Sequence, residues 1–216
     1  MKKIAVVLAG CGVFDGAEIH EATLSLLAIA KAGASYQIFA PDVEQHHVIN
    51  HLKGEVMDES RNVLVEAARI ARGVISDLDD FNPGEFDGLL FPGGFGAAKN
   101  LSSWAFDGPD ATVLPGVEKA IKGMIEAGKP IGALCISPVI LAKVLGEVKL
   151  TIGQDEATAA GVQSLGATHV NTDHGEVVVD EARRIITTPC YMLDATIDQI
   201  DVGARAVIKA MLERMS

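Results

Sequence analysis

The chain is short of aromatic residues, cysteines, positive charge and long apolar runs, and each shortage excludes something. Three cysteines, Cys11, Cys135 and Cys190, are an odd number at wide spacings. They build neither a disulfide framework nor a zinc site, so no metal is expected, and they suit a reducing compartment, here read as the cytoplasm. Lys and Arg number 18 against 29 Asp and Glu, a net charge of -11. That balance argues against nucleic acid and against an anionic membrane surface as partners. The apolar run after Met1 covers only residues 4–9, too short for the core of a secretory signal, and no stretch approaches a membrane span. With 49% hydrophobic residues and no repeat, low-complexity segment or linker, residues 1–216 are expected to form a single domain.

What is present is an alternation of strands and helices. Apolar runs at 3–9, 35–40, 88–91 and 130–134 read as buried strands. Helical periodicity covers 17–32, 60–72, 115–127, 156–165 and 194–215, several of these stretches stopped by a glycine. A small strand near 148–152 and a strand pair around 176–179 and 184–188 complete the pattern. Residues 41–59, with His46, His47 and His51, are poorly periodic and read as a long excursion beside the second strand. Such an alternation predicts an α/β fold, a mostly parallel sheet with helices on both faces. Ligands of these sheets bind beyond the carboxyl ends of the strands, near a switch in strand order.

The strand at 130–134 ends at Cys135, and a helical pattern begins almost at once, with Pro138 where a first turn tolerates it. A strand that turns directly into a helix at a cysteine makes a nucleophile elbow. The helix N-terminus behind it favours a thiolate through its free N–H groups and dipole. The alternative is an inert buried thiol, because free cysteine is among the most buried residue types.

Other segments fall at the same sheet edge. Pro92-Gly93-Gly94 follows a strand directly, and glycine there lets a backbone N–H approach a ligand. Beside an elbow, the N–H groups of Gly94 and Ile136 form a candidate oxyanion hole. Glu18 and Glu21 lie one turn apart on the first helix. Glu21 sits among inward apolar positions, where a carboxyl needs a partner, and is placed to share a proton with Cys135. Glu18 faces solvent or complements the helix N-terminus. The glycines 10, 12 and 16 resemble a nucleotide fingerprint, with Asp42 past the second strand as a ribose acid; Asp15 inside that loop opposes a pyrophosphate. No histidine has a spacing that marks it as the base a cysteine nucleophile commonly borrows.

Residues 89–101 followed by Gly132-Ala133-Leu134-Cys135-Ile136-Ser137-Pro138 resemble the class I glutamine amidotransferase-like superfamily that includes the PfpI peptidases. Residues 10–21, 48–55, 61–70 and the Thr187-Thr188-Pro189-x-Tyr191-Met192 motif more narrowly resemble the ElbB family, whose members are called glyoxalase ElbB or enhancing lycopene biosynthesis protein. The resemblance implies a flavodoxin-like three-layer sandwich, a homodimer, a role near isoprenoid biosynthesis, and conversion of the small reactive aldehyde glyoxal to glycolate without a cofactor. By position it makes Cys135 the nucleophile, Glu21 its acid partner and Gly94 an oxyanion donor. Superfamily members often carry a histidine on the strand after the elbow helix. Here that stretch reads Leu150-Thr151-Ile152-Gly153, so amidotransferase and peptidase chemistry are not expected. The competing function class is a non-enzymatic one, in which Cys135 is an oxidation-sensitive thiol or the dimer a regulatory binding module.

Overall fold

The computed structural model describes residues 1–215. Its strands are β1 (Lys3–Val7), β2 (Ser35–Ala40), β3 (Ile49–Asn50), β4 (Glu55–Val56), β5 (Ser76–Asp77), β6 (Gly88–Phe91), β7 (Ile131–Leu134), β8 (Lys149–Leu150), β9 (Thr168–His169), β10 (Val178–Asp180) and β11 (Ile185–Thr188). The α-helices are α1 (Ile19–Lys31), α2 (Val63–Ile70), α3 (Phe95–Lys99), α4 (Trp104–Asp107), α5 (Pro115–Glu126), α6 (Pro138–Leu145), α7 (Glu156–Ser164) and α8 (Ile197–Leu212). Seven strands make the central sheet in the order β10-β11-β7-β6-β1-β2-β5. Every pairing in it is parallel except that of β10 with β11. This is the α/β sandwich the sequence pattern predicts.

Side chains alternate across a strand, and here both faces are covered, so the strands read as nearly continuous apolar runs. Along β1 and just beyond it, Ile4, Val6 and Leu8 join one core cluster while Ala5, Val7 and Ala9 join the other. The first cluster is closed by α1 and α8 through Ala22, Leu26, Ile29, Val207 and Ile208. The second is closed by α5, α6 and α7 through Val117, Ile121, Met124, Val139 and Val162. The last helix starts on a capping box in which Thr196 and Gln199 satisfy each other's backbone N–H groups.

β1 has β2 on one side and β6 on the other. The strand order therefore switches at β1, and the segments after β1, β6 and β7 meet at one sheet edge. Departures from the sequence expectation are all short elements. The 41–59 excursion carries the hairpin β3–β4, and β5 adds an edge strand that pairs only Phe39 and Ala40. Helix α2 begins at Val63 because Asn62 caps it, its side chain accepting from the Val65 N–H. Two-residue strands carry too little periodicity to be seen beforehand.

Leu90 is fully buried at the centre of the sheet. Leu90→Ala should lower unfolding free energy by about 2–5 kcal/mol in urea titrations. A smaller loss would mean that this face closes over the cavity.

Candidate active site

Cys135 has φ +59, in the left-handed region that non-glycine residues visit rarely. The bend is held from several sides. The Cys135 N–H donates to Thr188 O at 3.0 Å, and the Ser137 N–H to Leu134 O at 3.0 Å. The fully buried Ser137 hydroxyl donates to Pro92 O at 2.7 Å, which ties the elbow to the turn after β6. The Cys135 sulfur accepts from the N–H groups of Gly94 and Ile136, the two donors named from sequence.

Glu21 is the third residue of α1 and is completely buried. Its Oε2 accepts the Gly93 N–H at 2.8 Å and its Oε1 the Tyr191 N–H at 3.3 Å. The carboxyl also hydrogen-bonds the Cys135 thiol. Glu18 caps the helix rather than facing solvent, its Oε2 accepting the Glu21 N–H at 2.7 Å. Gly93 has to be glycine: a Cβ there would lie 2.4 Å from the Cys135 Cβ and 2.6 Å from Glu21 Oε2. Gly94 is doubly constrained, with φ +100 and no space for a Cβ beside Gly16 O and Glu18 N.

Burial, reinforced by the Glu18 charge, pushes the Glu21 carboxyl up to about 8 against the opposing pull of its N–H donors. Burial, then the charge of Glu21, holds the Cys135 thiol well above its ordinary range, although the Gly94 and Ile136 N–H groups act the other way. The expected thiolate at the helix start is therefore corrected. Those N–H groups do favour it, but desolvation is the larger effect. At neutral pH the pair is uncharged, and the first proton to leave belongs to the pair rather than to either residue. The other two thiols are raised as well: Cys190 well above its ordinary range by burial and then by Glu21, and Cys11 by burial and then by Glu66.

The glycine loop 10–16 is folded in on itself. The Gly12 N–H donates to Ala17 O, the Gly16 N–H donates to Gly12 O, and Asp15 Oδ2 accepts the Ile49 N–H at 2.7 Å. Its N–H groups are thus not arrayed for a pyrophosphate, and its carbonyls at Val13 and Gly16 instead receive the N–H groups of Phe95 and Gly96. Thr151, in the stretch after the elbow helix, is buried and paired with the Thr172 hydroxyl at 2.7 Å. His51 accepts the Phe14 N–H, His169 the Ile152 N–H, and His46 packs on Phe106. Among the described residues no histidine hydrogen-bonds Cys135. A groove of about 990 Å³ beside the start of β2, lined by Tyr36, Ile38, Ile70 and Val74, holds none of the elbow residues.

Residues 2–190 match the model of the DJ-1/PfpI family. The chain belongs to that family. This DJ-1/PfpI protein is 47% identical over 221 residues to the human glutamine amidotransferase-like class 1 domain-containing protein 3, mitochondrial, covering 98% of this chain and 82% of that protein. It is 38% identical to a solved structure, an isoprenoid biosynthesis protein with an amidotransferase-like domain from Ehrlichia chaffeensis, with a TM-score of 0.93 and 99% of each chain covered. Glyoxalase III from Candida albicans superposes with a TM-score of 0.62 over 97% of each chain, and at 17% identity that likeness concerns the fold alone.

These relatives correct the expected cytoplasmic location, because the human protein and the ES1 proteins of Rattus norvegicus and Danio rerio are all named as mitochondrial. Cysteine usage reports a reducing environment, and that does not single out the cytoplasm. All four site residues named from sequence, Cys135, Glu21, Gly94 and Ile136, come together in the structure. Sequence reasoning missed Gly93 and Tyr191 as donors to Glu21, although Tyr191 stands just past a strand end, where such a donor is to be sought.

The Glu21 carboxyl holds its proton in the fold to about pH 8, but from an ordinary value of 4.5 it is ionised in the unfolded chain. Its contribution to stability is complete below pH 4.5 and is lost as pH rises through about 8. In urea titrations, Glu21→Gln should lack this decline. A decline of wild-type size in the variant would place its source elsewhere.

Proposed function

We propose that the protein is a cofactor-independent glyoxalase that converts glyoxal to glycolate, with Cys135 as nucleophile and Glu21 as its proton partner. The observation that carries this is the fully buried Glu21 carboxyl hydrogen-bonded to the sulfur, which two backbone N–H groups also contact. A buried carboxyl that stays protonated near neutrality and can give up its proton there suits a general acid and base. Kinship with the ElbB branch is supported by the likeness to the Ehrlichia isoprenoid biosynthesis protein.

The steps balance without an external oxidant. Once the pair has lost one proton, the Cys135 sulfur adds to one aldehyde carbon and the Glu21 carboxyl gives its proton to the oxygen there, leaving a hemithioacetal stabilised by the Gly94 and Ile136 N–H groups. Glu21, now a carboxylate, removes the hydrogen from that carbon as a proton to give an enediolate and returns it to the second carbon, while the proton on the first oxygen passes to the second. The first carbon is thereby oxidised to a thioester carbonyl and the second reduced to an alcohol. Water cleaves the thioester, releasing glycolate and the thiol. The competing reading, a redox-sensing thiol, fits less well, because sensor cysteines are accessible and low in pKa, whereas Cys135 is buried and raised.

Purified protein should turn over glyoxal with glycolate as the product, and Cys135→Ala and Glu21→Gln should each lower kcat at least about a hundredfold. Turnover that survives Cys135→Ala would end this reading. We also propose a homodimer through the β3–β4 hairpin, where Leu52 and Val56 are 94% and 63% exposed. Sedimentation should give about twice the mass of one chain, and a monomer would exclude it.

A further inference from the structure

Two hydrogen bonds join the first turn of α1 to the turn after β11. One is partly buried and belongs to the site already described, the Tyr191 N–H donating to Glu21 Oε1 at 3.3 Å. The other lies outside it: the Tyr191 hydroxyl meets Nδ1 of His20 at 2.8 Å, with ring centroids 5.9 Å apart. His20 directly precedes Glu21, so the two bonds tie neighbouring residues of the helix to the main chain and the side chain of a single tyrosine. The His20 ring is exposed and Tyr191 half-buried, which puts this link at the rim of the elbow.

The turn that carries Tyr191 needs a fastening. It is a single 3-10 turn, Cys190–Met192, and Cys190 takes φ +42. The opposite donor, Gly93, is locked into place, since its own carbonyl accepts the Glu18 N–H at 2.8 Å and its Cα is packed against Cys135 and Glu21. The Tyr191 N–H makes the longer of the two bonds to the carboxyl, and it is the one that movement of a strained surface turn would break first. Ionisable groups facing Glu21 are Glu18 on its own helix, Cys135 after β7, and Cys190 and Tyr191 after β11. None of them is cationic, so hydrogen bonds alone steady the carboxylate.

We propose that His20 and Tyr191 form a clasp whose function is to position the Glu21 carboxyl against Cys135. Tyr191 and His20 are positioning residues: they act through Glu21. The inference rests on the Cys135–Glu21 pair being the reacting centre, as proposed above. It is read, however, from the reactivity of the thiol and not from glyoxal turnover, so either proposal can fail without the other.

The test is the pH dependence of Cys135 alkylation by iodoacetamide, followed by peptide mapping, in the full chain. Tyr191→Phe keeps the ring and the main-chain N–H but loses the hydroxyl, and His20→Ala removes the other half of the clasp. Each should raise the midpoint of the profile and slow alkylation at neutral pH about three- to tenfold, the change expected from weakening one hydrogen bond. The double variant should be no worse than either single one, because both remove the same link. His20→Gln, whose amide can still meet the hydroxyl, should recover most of the wild-type profile. With glyoxal, kcat should fall while KM holds. An unmoved midpoint in both single variants, or additive shifts in the double one, would overturn the clasp. If Tyr191→Phe failed to fold, the exposed His20→Ala would decide the matter alone.

Discussion

A carboxyl group with no solvent exposure is the constraint on which the elbow depends. An ionised carboxylate buried without partners is prohibitively costly, so Glu21 must be neutral or fully hydrogen-bonded. The fold supplies main-chain donors on both sides of it, from the turn after β6 and the turn after β11, and a thiol in front. Those donors reduce the cost of ionisation without abolishing it, and the carboxyl is left with a value near 8. A proton that is held at neutrality and released just above it is the useful consequence.

The sheet is what brings these groups together. Parallel register places Leu134 beside Thr188 and Ala133 beside Phe91, so the chain leaves β6, β7 and β11 at nearly the same height. Three turns then crowd one small volume. Crowding excludes side chains at Gly93 and Gly94 and forces Cys135 into a left-handed conformation. Such strain persists only where the surroundings over-determine it, and here the Ser137 hydroxyl, the Thr188 carbonyl and α6 all do so.

Burial also sorts the chemistry. An exposed thiol at a helix start would be a thiolate and readily oxidised, while a desolvated thiol beside an acid is protected until the pair loses a proton. Proton sharing across the pair suits an internal redox reaction of a small dicarbonyl, in which one proton is taken from one carbon and returned to the next. It does not require a histidine, and Thr151, in the stretch after the elbow helix, is held in a hydroxyl pair.

Much of this was legible in the chain. The alternation of buried strands and amphipathic helices is a local property, and it was enough for the layer order and for placing the loop at 10–16, the Pro92 turn and Cys135 at one edge. Helix phase marked Glu21 as an inward carboxyl needing a partner, and the elbow pattern marked Gly94 and Ile136 as donors. The donors that hold Glu21 were not legible, since Gly93 and Tyr191 stand 72 and 170 residues from it, and only folding makes them neighbours. The ionisation of Cys135 was misjudged for the same reason. Sequence determined the helix start behind the sulfur, which favours a thiolate; the depth to which the sheet and α1 bury that sulfur belongs to the tertiary structure alone, and desolvation outweighed the helix.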